Sequence, residues 1–151
     1  VPVVTKTGRM EVFGTVSATI DLPDSQVMFD GLGKWHEQIG PRPRFGGAFT
    51  YMSVQMPSGA ILARAGRGGS WGFAVINGGL VAVKRFWIEP PNEIRRFELE
   101  LEDGRKTFGT THVRWSESMP VEGLRRAGSF VDVECDLGHF MGQVNDWNPL
   151  D

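Results

Sequence analysis

Apolar and polar residues alternate with a period of two along most of this chain, a rhythm that suits strands and not helices. In RRFELELED, Phe97, Leu99 and Leu101 alternate with Glu98, Glu100 and Glu102, the pattern of a half-buried strand. In EVFGTVSATID, Val12, Val16, Ala18 and Ile20 share one side, and SWGFAVI sets Trp71, Phe73 and Val75 together. GLVAVKRFWIE, KTFGTTHVRWSE, SFVDVECD and HFMGQVNDW continue the pattern, with DLPDS, PSG, NGG, EPPNE, EDGR and DLG as turn signals between strands. The 20 glycines and 9 prolines among 151 residues fit many short strands joined by turns. The best helical candidate, PVEGLRRAG, is interrupted by Gly123, so helix is expected in less than about 15% of the chain. Turn signals roughly every 8–12 residues predict about nine to eleven strands in an antiparallel meander. Such a meander closes as a barrel or folds as a sandwich, and closure has the advantage of removing sheet edges. The expectation is an all-β antiparallel barrel filling one domain, residues 1–151.

Charge narrows the partners. The formal net charge is −2 and the cations are scattered, whereas nucleic-acid binding calls for a basic face or stripe. The pairs Arg95-Arg96 and Arg125-Arg126 read as solvated surface. A single cysteine, Cys135, excludes an internal disulfide framework, so the chain does not resemble a small secreted scaffold and a cytoplasmic location is expected. No apolar run approaches the ~20 residues of a helical membrane span, and the first residues lack a signal-peptide core. The first residue is Val1 and not Met, which suggests a processed product or part of a longer polypeptide.

Most motif-like stretches reduce to structure. AGRGGSWG lacks the spacing of a phosphate loop, has no following Lys-Ser/Thr and precedes a strand, so it reads as a tight turn. His36, Glu37, His112, Cys135 and His139 are the ligand types available to a metal, but they contain no H-x-H or C-x-x-C pair. No metal and no cofactor is expected. Cys135 sits mid-strand among apolar neighbours, where a thiol serves as a small hydrophobe. The stretch GLGKWHEQIGPRPRFGG, residues 31–47, is different. Read as a strand, it points Trp35, Glu37 and Ile39 one way and Lys34, His36 and Gln38 the other. If the first set faces inward, burial raises the pKa of Glu37 and prepares it as a general acid. Alternatively Glu37 pairs with Arg42, Arg44 or another cation, as buried carboxylates commonly do.

The segment Gly31-Leu-Gly33-Lys-Trp-His-Glu37-Gln-Ile-Gly40-Pro41-Arg42 resembles a motif of the carotenoid 1,2-hydratase/AttH-like, lipocalin-related proteins. In that family a G-x-G stretch leads into an acidic residue, a His, a spacer, Trp-Gly and often Pro-Arg. The upstream GTVSATIDLPDSQVMFDGLG and the downstream PSGAILARA, RRFELELEDGRKTFGTTHVRW and GSFVDVECDLGHFMGQVNDW follow the same order of elements. In matching register the family's His falls on Glu37, its acidic residue on His36 and its Trp on Ile39, so the acid–imidazole pair is exchanged. The resemblance implies a lipocalin-like barrel, one of two such halves in a longer chain. It also implies an apolar, isoprenoid- or polyketide-like substrate handled by proton transfer in a hydratase, isomerase or cyclase. On this reading His36 and Glu37 are catalytic, while Trp35, Arg42, Arg44, Tyr51, Trp71 and Trp87 bind the ligand. Aromatic and methionine side chains then line the pocket, with Trp35 or Trp71 at its wall. The alternative is a non-catalytic lipocalin-like module that holds a hydrophobic ligand or pairs with a second domain or a second copy.

Overall fold

The computed structural model describes residues 3–6, 8–40 and 47–150, with side chains from residue 8 onward. Arg42 and Arg44 lie outside the described residues. Eleven strands account for most of the chain, and no helix occurs among the described residues. They are β1 (Val3–Lys6), β2 (Arg9–Leu22), β3 (Ser25–Gln38), β4 (Phe49–Met56), β5 (Gly59–Gly66), β6 (Gly69–Ile76), β7 (Gly79–Ile88), β8 (Ile94–Leu101), β9 (Lys106–Val121), β10 (Leu124–Cys135) and β11 (Gly138–Pro149).

These strands divide between two compact units, Val1–Gly40 and Pro41–Asp151. In the second, β4 to β11 pair in sequence order and β11 returns to β4 antiparallel, closing a barrel. The barrel has eight strands, not nine to eleven, because β1, β2 and β3 form a sheet of their own. Strand alternation is a local property, whereas the sheet a strand joins is decided by its distant partners. The chain is therefore all-β and antiparallel as expected, but the barrel does not take up residues 1–151.

The alternation sorts side chains as the sequence implies. Phe97, Leu99 and Leu101 of β8 turn inward, joining Met52, Val54, Ile61, Phe86, Val131, Val133 and Val144 in one buried cluster. An eight-stranded barrel is just wide enough for its side chains to fill, so this interior is packed core over most of its length. Tight turns hold the meander in register. Asn77 and Gly78, at φ 51° and 79°, join β6 to β7, and Glu122 and Gly123, at 49° and 82°, join β9 to β10. Two successive positive φ values match the twist of the flanking strands.

In the first unit β2 and β3 form a hairpin of fourteen residues per strand, joined by the two-residue turn Pro23-Asp24 and paired from Leu22↔Ser25 to Arg9↔Gln38. Proline presets φ for such a turn. This register puts Glu11 opposite His36, Phe13 opposite Lys34 and Val12 opposite Trp35.

Candidate functional site

Towards one end of the barrel the inward-facing row turns polar. Arg95 precedes Phe97, Leu99 and Leu101 on the same side of β8, so the strand's own alternation carries it inside. It is 4% exposed, which corrects its reading as solvated surface; Arg96 and Arg125 are exposed. Arg95 Nη1 donates to Asp146 Oδ2 at 2.8 Å, Nη2 donates to Asp146 Oδ1 at 3.3 Å, and Nε donates to the Glu89 carbonyl at 2.6 Å. Thr50 Oγ1 adds a bond to Asp146 Oδ1 at 2.6 Å. The paired charges and filled hydrogen bonds offset the cost of burying both ions. Glu89 lies just beyond β7, where Arg96 donates from its backbone and guanidinium and holds the Glu89 carboxyl below the usual carboxylate range.

A cavity of about 540 Å³ lies on this ion pair, bounded by Val113, Val131, Val144, Ala127, Ser129 and Thr111, with Ser116, Glu117 and Ser118 at its exposed side. A β-bulge shapes it. The β9–β10 register shifts between Phe130 and Val131, so Trp115 pairs with Phe130 and Val113 with Val131, leaving Arg114 as the extra residue. The inward side of β9 thereby changes from Thr111 and Val113 to Ser116 and Ser118, and all four border the cavity. Thr111 is fully buried, directly opposite Arg95 in the β8–β9 ladder, and its Oγ1 has no hydrogen-bond partner. A buried hydroxyl without a partner is costly and infrequent in folded proteins.

The aromatic residues expected to line a pocket do not border this cavity. Tyr51 and Trp71 flank Arg64 across β4, β5 and β6, on the strand sides opposite the inward-facing Met52, Ala63 and Ala74. Trp87 lies on the outward side of β7 in a shallower groove with Arg96, Glu98 and Phe108. Trp35 is 63% exposed. An eight-stranded barrel has no room for large rings at every inward position, and here its open end is walled by valine, alanine, serine and threonine.

The opening motif supplies a second polar cluster, with its faces reversed. Trp35, Glu37 and Ile39 are exposed, so Glu37 is not an inward-facing acid. His36 and Lys34 instead meet a carboxylate from the neighbouring strand, Glu11, whose side chain is 1% exposed. Arg9 Nε donates to Glu11 Oε1 at 2.8 Å, and His36 Nδ1 lies 2.8 Å from the same oxygen, to which the ring donates. Lys34 Nζ is 3.8 Å from Oε2. Burial pushes the Lys34 ammonium below its usual value, against the opposing pull of Glu11, and Arg9 adds to the depression. Glu11 escaped the sequence reading, although taking Pro23-Asp24 as a two-residue turn places it directly across from His36.

Cys135 packs against the barrel core, and burial pushes its thiol up, as suits a small hydrophobe better than a nucleophile. Among the described residues no three His, Cys, Asp or Glu side chains converge as a metal site would require. No protein-family model matches this chain, and no curated protein matches it significantly.

Proposed function

We propose that this chain is a lipocalin-like binding domain for a neutral small molecule, held at the polar end of the barrel. The observation that carries the reading is the cavity of about 540 Å³ bordered by Thr111, a buried hydroxyl without a partner. That volume lies within the ~300–1,000 Å³ range of small-molecule sites, which combine apolar walls with a few placed polar groups. Val113, Val131 and Val144 suit an apolar body, and Thr111 and Ser129 suit a single hydroxyl or carbonyl upon it. Glu93, Glu117 and Asp146 line the same space and disfavour an anionic ligand. Arg95 does not reverse this, because its charge is engaged by Asp146. The lining therefore suits a neutral, mostly apolar alcohol or ketone and not a fatty acid, and the resemblance to carotenoid 1,2-hydratase-like proteins implies an isoprenoid- or polyketide-like one. Binding is a better-supported role than proton transfer. His36 is tied to Glu11, and Glu37 is exposed.

The test uses Nile red, a neutral apolar fluorophore, with neutral terpenoid alcohols and ketones as competitors. The expected result is enhanced emission that competitors reverse and that Val144→Trp abolishes by filling the cavity. Thr111→Val should weaken carbonyl or hydroxyl competitors about tenfold without lowering stability, since it removes an unpaired polar atom. Unchanged emission, with no shift in melting temperature across the panel, would refute the reading.

A further inference from the structure

The hairpin of β2 and β3 is amphipathic in a way that its own unit does not use. The pairing register sorts its residues onto two faces. One carries Glu11, Ser17, Thr19, Asp21, Asp30 and Lys34, with Phe13, Met28 and Leu32 set among them. The other carries Val16, Ile20, Val27, Phe29 and Trp35, continued by Ile39 just beyond β3, and these six are 41–73% exposed. Soluble monomers rarely leave so continuous an apolar strip in water, and a long two-stranded ribbon gains stability only when such a face is covered.

We propose that this face is the interface of a homodimer, in which two copies of the hairpin pack face to face. The strip is complementary to itself. Gly14 pairs with Gly33 and Gly31 follows on the same side; the Val16 side chain leans over Gly33, which leaves the gap in the apolar face at Gly31. A side chain built at Gly31 would meet nothing within 4 Å, whereas Trp35, four residues along, is 63% exposed. A two-fold axis running between the faces, across the strands at the Gly14–Gly33 pair, sets each Trp35 over the Gly31 of the other copy. The same axis sets Ile39 over Val27. This is an isologous contact, with ridge and gap present on one surface.

The area agrees with a reversible dimer. Fourteen-residue strands rising ~3.3 Å per residue give a ribbon about 45 Å long and roughly 10 Å wide. Two such faces bury on the order of 900 Å², below the size of stable specific interfaces and in the range of weak, transient ones. Charge speaks against a membrane surface as the occupant. Between Arg9 and Lys34 the hairpin has no lysine or arginine, but it has Glu11, Asp21, Asp24 and Asp30; interfacial segments favour basic residues at anionic lipid. These four carboxylates lie on the polar face or in the turn, clear of the contact. Glu37, the charged residue on the apolar side, falls beside Phe29 of the other copy under the same axis, and on an edge strand its carboxylate can turn past that ring to solvent.

Sedimentation velocity of the whole chain, from low to several hundred micromolar, tests the proposal. The expected result is a concentration-dependent doubling of mass. Val27→Lys, which sets a cation against Ile39 of the other copy, and Gly31→Trp should each raise the dissociation constant about a hundredfold or more. Thr19→Lys, on the polar face of the same hairpin, should leave it unchanged, and circular dichroism should confirm that all three retain the native strand signal. A monomer at every concentration would overturn the proposal, as would dimerisation that survives Val27→Lys. So would a monomer that floats with vesicles of anionic phospholipid, since lipid and not a second copy would then cover the face.

Discussion

The Arg95–Asp146 pair sets the most demanding prediction. Asp146→Asn preserves shape and leaves an oxygen for the Thr50 hydroxyl, but it removes the charge and turns an amide N–H₂ towards the guanidinium. Arg95, with its side chain 5% exposed, is then a buried cation without its counter-ion. Breaking such a pair from one side costs about 3–5 kcal/mol. The lower figure is expected here, because Arg95 keeps its bond to the Glu89 carbonyl and the adjoining cavity admits water. For a unit of this size ~3 kcal/mol corresponds to roughly 13 °C in melting temperature. Urea unfolding followed by tryptophan fluorescence should show a lower midpoint at unchanged slope. Replacing both partners, as Arg95→Met with Asp146→Leu, should cost less than either single change, since no lone charge remains. The reasoning is refuted if Asp146→Asn stays within ~0.5 kcal/mol of the parent, or if the double variant loses the sum of the singles.

The hairpin carboxylates should separate cleanly. Glu11→Gln is expected to cost ~3 kcal/mol through loss of the buried carboxylate that Arg9, Lys34 and His36 share, whereas the exposed Glu37→Gln should change stability by less than ~0.5 kcal/mol; amide exchange along β2 and β3 would report both. Lys34 makes stability pH-dependent in a known direction. Its folded pKa is lowered from 10.5, so between the two values the unfolded chain binds more protons and stability rises with pH. Relative to Lys34→Met, the parent hairpin should therefore gain protection as pH climbs towards 10.5 through the alkaline range, and an equal response in both proteins would contradict the assignment.

Much of the fold was legible wherever it depended on neighbours in sequence. The alternation of Phe97, Leu99 and Leu101 places β8 against the core, and the same parity already contained Arg95; counting its charge as a surface property obscured that. The partition of eleven strands into eight and three was not legible, because it depends on β11 reaching back to β4. The site was harder still. Its polar row combines Thr50, Arg95, Thr111 and Asp146 from four strands, and Ser116 and Ser118 join it through a bulge at Arg114. For the opening motif the two-sided pattern was correct, but the choice of inner face was reversed. A Trp on one side outweighed the possibility that a buried carboxylate across the hairpin would draw in Lys34 and bind the ring of His36, which stays partly exposed.

The closing seam between β4 and β11 has a consequence for how the barrel assembles. Every other pairing joins consecutive strands and can form as soon as a turn closes, whereas the Phe49↔Trp147 contact must wait for all the intervening chain. Loop entropy makes this the slow event. Until it occurs, β4 and β11 each have an open edge and Arg95 remains hydrated, because Asp146 arrives on the last strand. Locking of that ion pair thus marks the moment at which a curled meander becomes a cylinder, and a chain stalled before it would expose two adhesive edges to its neighbours.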